Sequence, residues 1–264
     1  STLMRSSAAS DVYKRQLTVP IGDFIDETAD ALEGLPLPDD TVHLTGFMKE
    51  NMQARDRSSR ILAALSAAFG GIFTCNANKT ETTVGYGTLY GDLAGAFAAT
   101  ADLWKYQIYD LGRKLNAWYG RAVIPEGIFT VMPSAELSEN QDVTQGKGDP
   151  LIYEYHDYLF RSFIEPWQRQ TPEDILKAYA KGNLEDLIGC SIIVSNIFPT
   201  AKDFIEDLEK WWNLFSGFAV AKRIQTPPLL AVSRRPYGYD LRESQLRPYY
   251  TDAYLSLKEK LLAD

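Results

Sequence analysis

An α/β fold around a parallel sheet, with a helical C-terminal part, is what this sequence predicts, and three observations carry that prediction. Strand-like and helix-like runs alternate in the N-terminal half, with glycines at each turn. The stretch from Cys75 to Asp92, CNANKTETTVGYGTLYGD, gathers small residues, hydroxyls, an acid and three glycines, a mixture that suits a turn between sheet and helix. The C-terminal third reads as helix after helix.

Taken in order, LTVPIG (17–22) reads as a short strand closed by Pro20 and Gly22. DFIDETADALEGL (23–35) is helical, with Phe24, Ile25 and Leu32 on its apolar side and Gly34 after its end. The segment 46–71 predicts a long helix: Ile61, Leu65, Ala68 and Phe69 follow the helical period, and Gly70-Gly71 stops it. IFTCNA (72–77) reads as a short buried strand. A helix over 102–118 carries Trp104, Ile108, Leu111 and Leu115 on one stripe, and 124–150 is mostly loop. Further helices are expected over 151–165, over 171–182 with Thr171 as N-cap, Pro172 at N1 and Asp174 at N3, over 200–223 with Thr200 as N-cap, and over 252–262. Between the last two lies an extended segment, 225–240.

Composition narrows the function classes. Apolar residues make up 45% of the 264, enough to bury a core, and the net charge of −8 argues against non-specific nucleic-acid binding. Two cysteines and two histidines, with no CxxC or HExxH spacing, are too few for a structural zinc site and suit a reduced, cytoplasmic protein. A single disulfide stays open as an alternative. No apolar run approaches membrane-spanning length, and the N-terminus lacks the apolar core of a signal peptide. Residues 1–16 carry no period. The string MRSSAASDVYKRQ resembles translated sequencing-adapter read-through, so this arm is set aside as non-native; a native basic arm is the alternative.

In open α/β sheets ligands bind where strands end, which is where Asn76, Asn78, Lys79 and Thr80 would sit. The combination N-K-T-E, V-G-Y-x-T-x-Y-G-D and, eleven residues beyond Gly91, D-L-x-K resembles the synthetase domain of NAD synthetases. ENMQAR (50–55), PSAEL (133–137) and AKRIQTPP (221–228) match that family's other segments, and the helical C-terminal part most resembles the glutamine-dependent bacterial branch. The resemblance implies an incomplete Rossmann-like adenine nucleotide alpha hydrolase fold, of the N-type ATP pyrophosphatase kind. It also implies a partial nucleotide-binding part over 17–145 and a helical extension over 146–264. The implied reaction amidates deamido-NAD to NAD. ATP is cleaved to AMP and pyrophosphate through an acyl adenylate, with ammonia drawn from glutamine.

What the resemblance implies for individual residues is specific. Glu81 aligns with a magnesium-ligating glutamate, and a hard acid suits that cation. Lys105 aligns with a lysine on ATP phosphate, where a point charge stabilises the departing pyrophosphate. Asn76 and Ser134 align with ATP contacts. Arg55 holds deamido-NAD, with Arg57 assisting, and a guanidinium fork suits a carboxylate or diphosphate. Lys222 and Arg223 lie where the family has a basic pair on substrate. ATP and Mg2+ are the implied cofactors, and a homo-oligomer and a glutaminase domain upstream are the implied partners. Each residue has a plainer reading: Glu81 as a helix-starting acid, Lys105 as a solvated helix lysine, Arg55 as a surface arginine paired to Glu50 or Asp56.

Two features depart from the family. Leu89 and Ala96 stand where shorter, ammonia-dependent members have a lysine and an aspartate on deamido-NAD. The SGGxDS loop that cradles pyrophosphate is missing from the sequence, as if the N-terminal part of the domain had been cut away. Three lost charge-assisted hydrogen bonds would remove roughly 5–9 kcal/mol, so this polypeptide alone is expected to show no robust turnover in a pyrophosphate-release assay. A non-catalytic dinucleotide-binding or oligomerisation module is the alternative, and another pyrophosphatase of this fold, such as GMP synthetase, a further one. Cys75 as a nucleophile has little behind it, since neither histidine is near it in sequence.

Overall fold

The computed structural model describes residues 17–134, 149–237 and 248–263. The arm 1–16 and most of the loop expected over 124–150 lie outside the described residues. The chain divides into two compact units, one drawn from the described residues of Ser1–Phe73, Thr88–Gly95 and Gln107–Pro150, the other from those of Thr74–Gly87, Ala96–Tyr106 and Leu151–Asp264.

The first unit is helical. Helix α1 (Gly22–Leu32) buries Ile25 and Ala29, whereas Phe24, expected on the apolar side, is largely exposed and lies beneath the Arg60 guanidinium, 3.9 Å from its ring centre. The long helix forms, but not as a single regular one. Helix α2 (Gly46–Arg55), capped by Thr45, continues through a π-helical stretch, Asp56–Leu62, into α3 (Ala63–Ala68). Widening the turn breaks the 3.6-residue period on which the expected stripe rested, and Phe69 ends exposed. Asn51 and Arg55 of α2 and Ser59 of the wide stretch form a row of side chains against residues 88–90. Asn51 accepts from the Thr88 hydroxyl at 2.8 Å, Arg55 Nε donates to the Leu89 carbonyl at 3.1 Å, and Ser59 donates to the Tyr90 carbonyl. Tyr90 is held at φ 59°, the one non-glycine with positive φ among the described residues.

The first unit has one antiparallel bridge, Pro36 to Thr41; the second holds the parallel β structure, and there is less of it than expected. LTVPIG is not a strand in the first unit, and IFTCNA pairs at one residue. Thr74 bridges Phe97 and Ala98 bridges Leu229, both parallel, so three short extended segments lie side by side in the order 74, 97–98, 229. Cys75 N–H donates to Phe97 O at 2.9 Å, and Ala98 N–H to Pro228 O at 2.9 Å. A strand needs neighbours for its backbone donors and acceptors, and among the described residues these few bonds are what the neighbours provide. The parallel sense agrees with the expected sheet; its extent does not.

Two helices leave the ends of these bridged segments. Helix α4 (Lys79–Val84) follows Thr74, and α5 (Lys105–Tyr119) follows Ala98; Lys105 and Tyr106 count with the second unit and the rest of α5 with the first. Trp104 is fully buried but precedes α5. Within the first unit, Leu111 is 45% exposed, and the residue of α5 that is buried is Gly112, whose missing side chain admits the Phe129 ring.

The remaining helices of the second unit follow the sequence closely. Helix α7 (Tyr153–Ile164) comes after the short α6 (Gly127–Thr130) of the first unit. Helix α8 (Pro172–Lys181) has the expected capping box, with Thr171 accepting from Asp174 N and Gly182 ending it at φ 70°. Two short turns, α9 (Leu184–Ile188) and α10 (Val194–Ile197), follow. Thr200 caps α11 (Ala201–Ser216) through Asp203; the expected helix then breaks at Gly217, and α12 (Ala219–Gln225) starts afresh. Helix α13 (Asp252–Ala263) ends the chain's described part. Aromatic contacts among Phe160, Phe163, Trp211, Trp212 and Phe215 fill the core between α7 and α11.

In that core the Tyr155 hydroxyl is fully buried and has no hydrogen-bond partner among the described residues, and burial pushes its pKa well above the ordinary value. Tyr155→Phe is therefore expected to stabilise the second unit by about 1–2 kcal/mol, read as a higher urea midpoint, since it removes an unpaid desolvation.

Candidate functional site

The motif folds into a helix start whose side chains are all occupied with one another. Asn78 is the N-cap of α4. Its side chain accepts from Glu81 N at 2.9 Å, and the Glu81 carboxylate returns the favour, accepting Asn78 N at 3.0 Å and Asn78 Nδ2 at 2.8 Å. Tyr153 OH, from α7, donates to the same carboxylate at 3.2 Å. The Tyr153 ring also faces Lys105, whose Nζ lies 5.1 Å from its centre. Glu81 and Lys105 thus share one tyrosine between them, an acid and a base at the starts of two neighbouring helices, where both helix dipoles are positive.

Lys222 and Arg223 go to the opposite end of α4. Lys222 Nζ donates to Gly85 O at 2.7 Å, and Arg223 donates to Thr83 O and, at 3.0 Å, to Phe215 O. They meet the carbonyl end of the helix, where cations are favourable. Gly85 ends α4 at φ 65°, and Ala219 packs so closely that an added Cβ would lie 2.8 Å from its Cα. The glycine permits close approach, as its place in the motif suggests, and what approaches is α12. Asn76 is exposed, its side chain accepting from Thr74 Oγ1 at 3.0 Å.

Arg55, Arg57 and Ser134 belong to the first unit. Arg55 Nε is tied to the Leu89 carbonyl, while Asp56, buried, pairs with Arg60 at 2.8 Å. Arg57 is exposed and Ser134 half-buried. The structure therefore brings Glu81 and Lys105 together around Tyr153, sets Lys222 and Arg223 at the far end of α4, leaves Asn76 exposed in the same unit, and has Arg55, Arg57 and Ser134 in the other unit.

Two groups dominate the interior of the second unit: Lys79, which the sequence placed only at the ligand-binding edge, and Asp157, which it did not single out. Lys79 is completely buried. Its ammonium donates to Asp102 Oδ1 at 2.8 Å, Glu165 Oε1 at 3.1 Å, Ser233 Oγ at 2.9 Å and the Arg235 carbonyl at 3.0 Å. Asp102, also buried, accepts besides from Val232 N at 2.7 Å and from Ser233 N at 2.6 Å. Burial alone would raise its pKa, but these bonds, Lys79's first, hold it below the ordinary value. Asp157 of α7 accepts from the Thr80 hydroxyl and, at 2.9 Å, from Tyr106 N; burial pushes its pKa up to about 6. The only signal was the lysine's place inside the motif, and Asp157 has none.

His156 Nδ1 accepts Ile152 N–H at 2.8 Å, so the neutral ring carries its proton on Nε2, which faces Asp207 at 3.0 Å. With both nitrogens engaged, the pair is structural. Both cysteines are buried thiols rather than a disulfide, and burial raises the pKa of the Cys190 thiol. Among the described residues no three acids, histidines or cysteines gather around a metal position, and no helix is long and apolar enough to cross a membrane.

Parallel segments feeding helix starts, with an acid and a lysine at those starts, describe an α/β domain with its polar side chains at the carboxyl ends of its extended segments. A structural likeness agrees: a glutamine-dependent NAD(+) synthetase from Cytophaga hutchinsonii superposes over 90% of this chain and 34% of its own, with a TM-score of 0.59 at 17% identity, which shows the fold. The NAD synthase family model matches residues 9–188, a span that takes in the end of the arm set aside above. This chain belongs to the NAD synthase family. It is 39% identical over 160 residues to the glutamine-dependent NAD(+) synthetase of Thermotoga maritima, covering 60% of this chain and 26% of that protein. It is 34% identical over 195 residues to that of Xanthomonas campestris pv. campestris, covering 74% and 30%. The chain thus spans between a quarter and a third of the length of these relatives.

Proposed function

We propose that this chain is the nucleotide-handling part of a bacterial NAD synthetase. The parent enzyme amidates deamido-NAD. A carboxylate oxygen of the nicotinate attacks the α-phosphorus of ATP and pyrophosphate leaves. Ammonia, released from glutamine, then attacks the acyl carbon, AMP departs with the bridging oxygen, and the nitrogen gives up a proton. The observation that supports this most is the Glu81–Tyr153–Lys105 cluster at the starts of α4 and α5, in a chain of this family.

Two anions must meet for the first step, so cations must cancel their repulsion and the charge that grows on pyrophosphate. Lys105 is the cation proposed for that charge. The Asn78 capping box and the Tyr153 hydroxyl hold Glu81 in one orientation. A carboxylate in that place fits Mg2+, which typically takes one or two carboxylates and fills its shell with phosphate oxygens and water. Bound Mg2+ would supply charge neutralisation at the phosphates. Asn76 and Ser134 are proposed ATP contacts. For deamido-NAD the proposed residues are, in the first unit, Arg55, steadied through Nε by the Leu89 carbonyl, and Arg57, and, in the second unit taken by itself, the Lys222–Arg223 pair. The Leu89 carbonyl orients Arg55 in a branch that lacks the lysine at position 89.

Titration of the chain with magnesium pyrophosphate tests the reading. Lys105→Met should weaken binding by about 10- to 150-fold, the worth of one charge-assisted bond of about 1.5–3 kcal/mol. Equal affinity in the two proteins would remove Lys105 from the phosphate site.

A further inference from the structure

Helix α7 touches the starts of α4 and α5 twice, one helical turn apart. Tyr153 and Asp157 stand at i and i+4, on one face. Tyr153 meets Glu81 and Lys105. Asp157 meets the residue before one and the residue after the other: Oδ1 accepts the Thr80 hydroxyl and Oδ2 accepts Tyr106 N–H at 2.9 Å. The Thr80 oxygen in turn accepts Lys105 N–H at 3.3 Å. A single buried carboxylate therefore fixes the first two amides of α5, one directly and one through Thr80, and locks them to α4.

We infer that Asp157 is a positioning residue for Lys105: through Thr80 and the Tyr106 amide it determines where the lysine stands beside Tyr153 and Glu81. The importance of that position rests on the phosphate role proposed for Lys105. The charged groups facing Asp157 are Lys105 from α5, which favours its ionised form, and Glu154 from its own helix, which opposes it; α4 presents the Thr80 hydroxyl. Burial outweighs the favourable bonds, so the fold prefers the proton on Asp157, with a pKa about 6 against the ordinary 3.8. That preference stabilises the fold fully below the ordinary value and is lost as pH rises through about 6. Above that, a charged Asp157 costs the fold stability.

The test is nuclear magnetic resonance on the whole chain, wild type against Asp157→Asn, Thr80→Val and Thr80→Ser. In the wild type the Tyr106 amide should titrate with a midpoint near pH 6, and the Lys105 ε-methylene protons should show the ring-current shift of a nearby Tyr153. In Asp157→Asn and Thr80→Val the ε-methylene shift should collapse towards its random-coil value, while Thr80→Ser keeps it. Asp157→Asn should also melt no lower than wild type at pH 8, a result that loss of a merely structural cap would not give. Lys105 signals that are identical in wild type, Asp157→Asn and Thr80→Val at both pH 5 and pH 8 would overturn the inference. Failure of magnesium pyrophosphate to move those signals in the wild type would instead contradict the phosphate role of Lys105 and leave the positioning link standing.

Discussion

Replacing Lys79 with methionine is expected to cost the second unit about 3–5 kcal/mol, the usual result of removing one partner from a buried ion pair. The ammonium is fully buried and stands between Asp102, equally buried, and Glu165, and it also holds Ser233 and the Arg235 carbonyl. Methionine matches its length and removes the charge, so two carboxylates lose their cation in a medium that solvates them poorly. Urea unfolding followed by tryptophan fluorescence should show the midpoint falling. Adding Asp102→Asn should recover part of the loss, because an uncompensated charge costs more than an absent pair. A change below about 1 kcal/mol in Lys79→Met would mean that the ammonium is not what ties the 232–235 segment to α4.

Gly85→Ala should cost roughly 2–5 kcal/mol, from two sources that a second substitution separates. At φ 65° a side chain costs about 1–2 kcal/mol in the left-handed region. The new Cβ would also lie 2.8 Å from Ala219 Cα and 2.9 Å from Ala219 Cβ, and overpacking of this kind costs about 1–3 kcal/mol. Gly182, at φ 70°, has nothing within 4 Å of an added Cβ, so Gly182→Ala should pay the conformational part alone. The difference between the two urea midpoints measures how tightly α12 is pressed onto the end of α4. Equal losses would show that the Ala219 contact yields freely.

Local chemistry was legible in the sequence wherever a few neighbouring residues decide the outcome. The Thr171–Asp174 and Thr200–Asp203 capping boxes, Pro172 and Gly182 act within one turn, and each could be placed from the sequence alone. The motif around Asn78 and Glu81 was legible for the same reason. Properties set by distant partners were not. Lys79 finds Asp102, Glu165 and Ser233 across as many as 154 positions of chain, and nothing local marks it as buried. The π-helical stretch 56–62 changed which residues of the long helix face inward, because a period counted at 3.6 cannot foresee a wider turn. Trp104 has helical spacing with Ile108, but it precedes the helix and is held by its Nε1–H on Glu165 at 2.6 Å. Strand-like runs were over-read, since a run of β-formers makes a strand only where a partner lies alongside. Lys222 and Arg223 were read from their motif as substrate cations; their bonds to Thr83 and Gly85 are a tertiary fact that no spacing announces.

We propose that this chain carries recognition of the dinucleotide acid of the NAD synthetase reaction. Isothermal titration with deamido-NAD against xanthosine monophosphate, in the presence of Mg2+, tests it most directly. The account predicts saturable heat with deamido-NAD, at least tenfold tighter than any binding of the monophosphate, a difference of about 1.4 kcal/mol or more. Equal affinity for the two, or preference for xanthosine monophosphate, would contradict it.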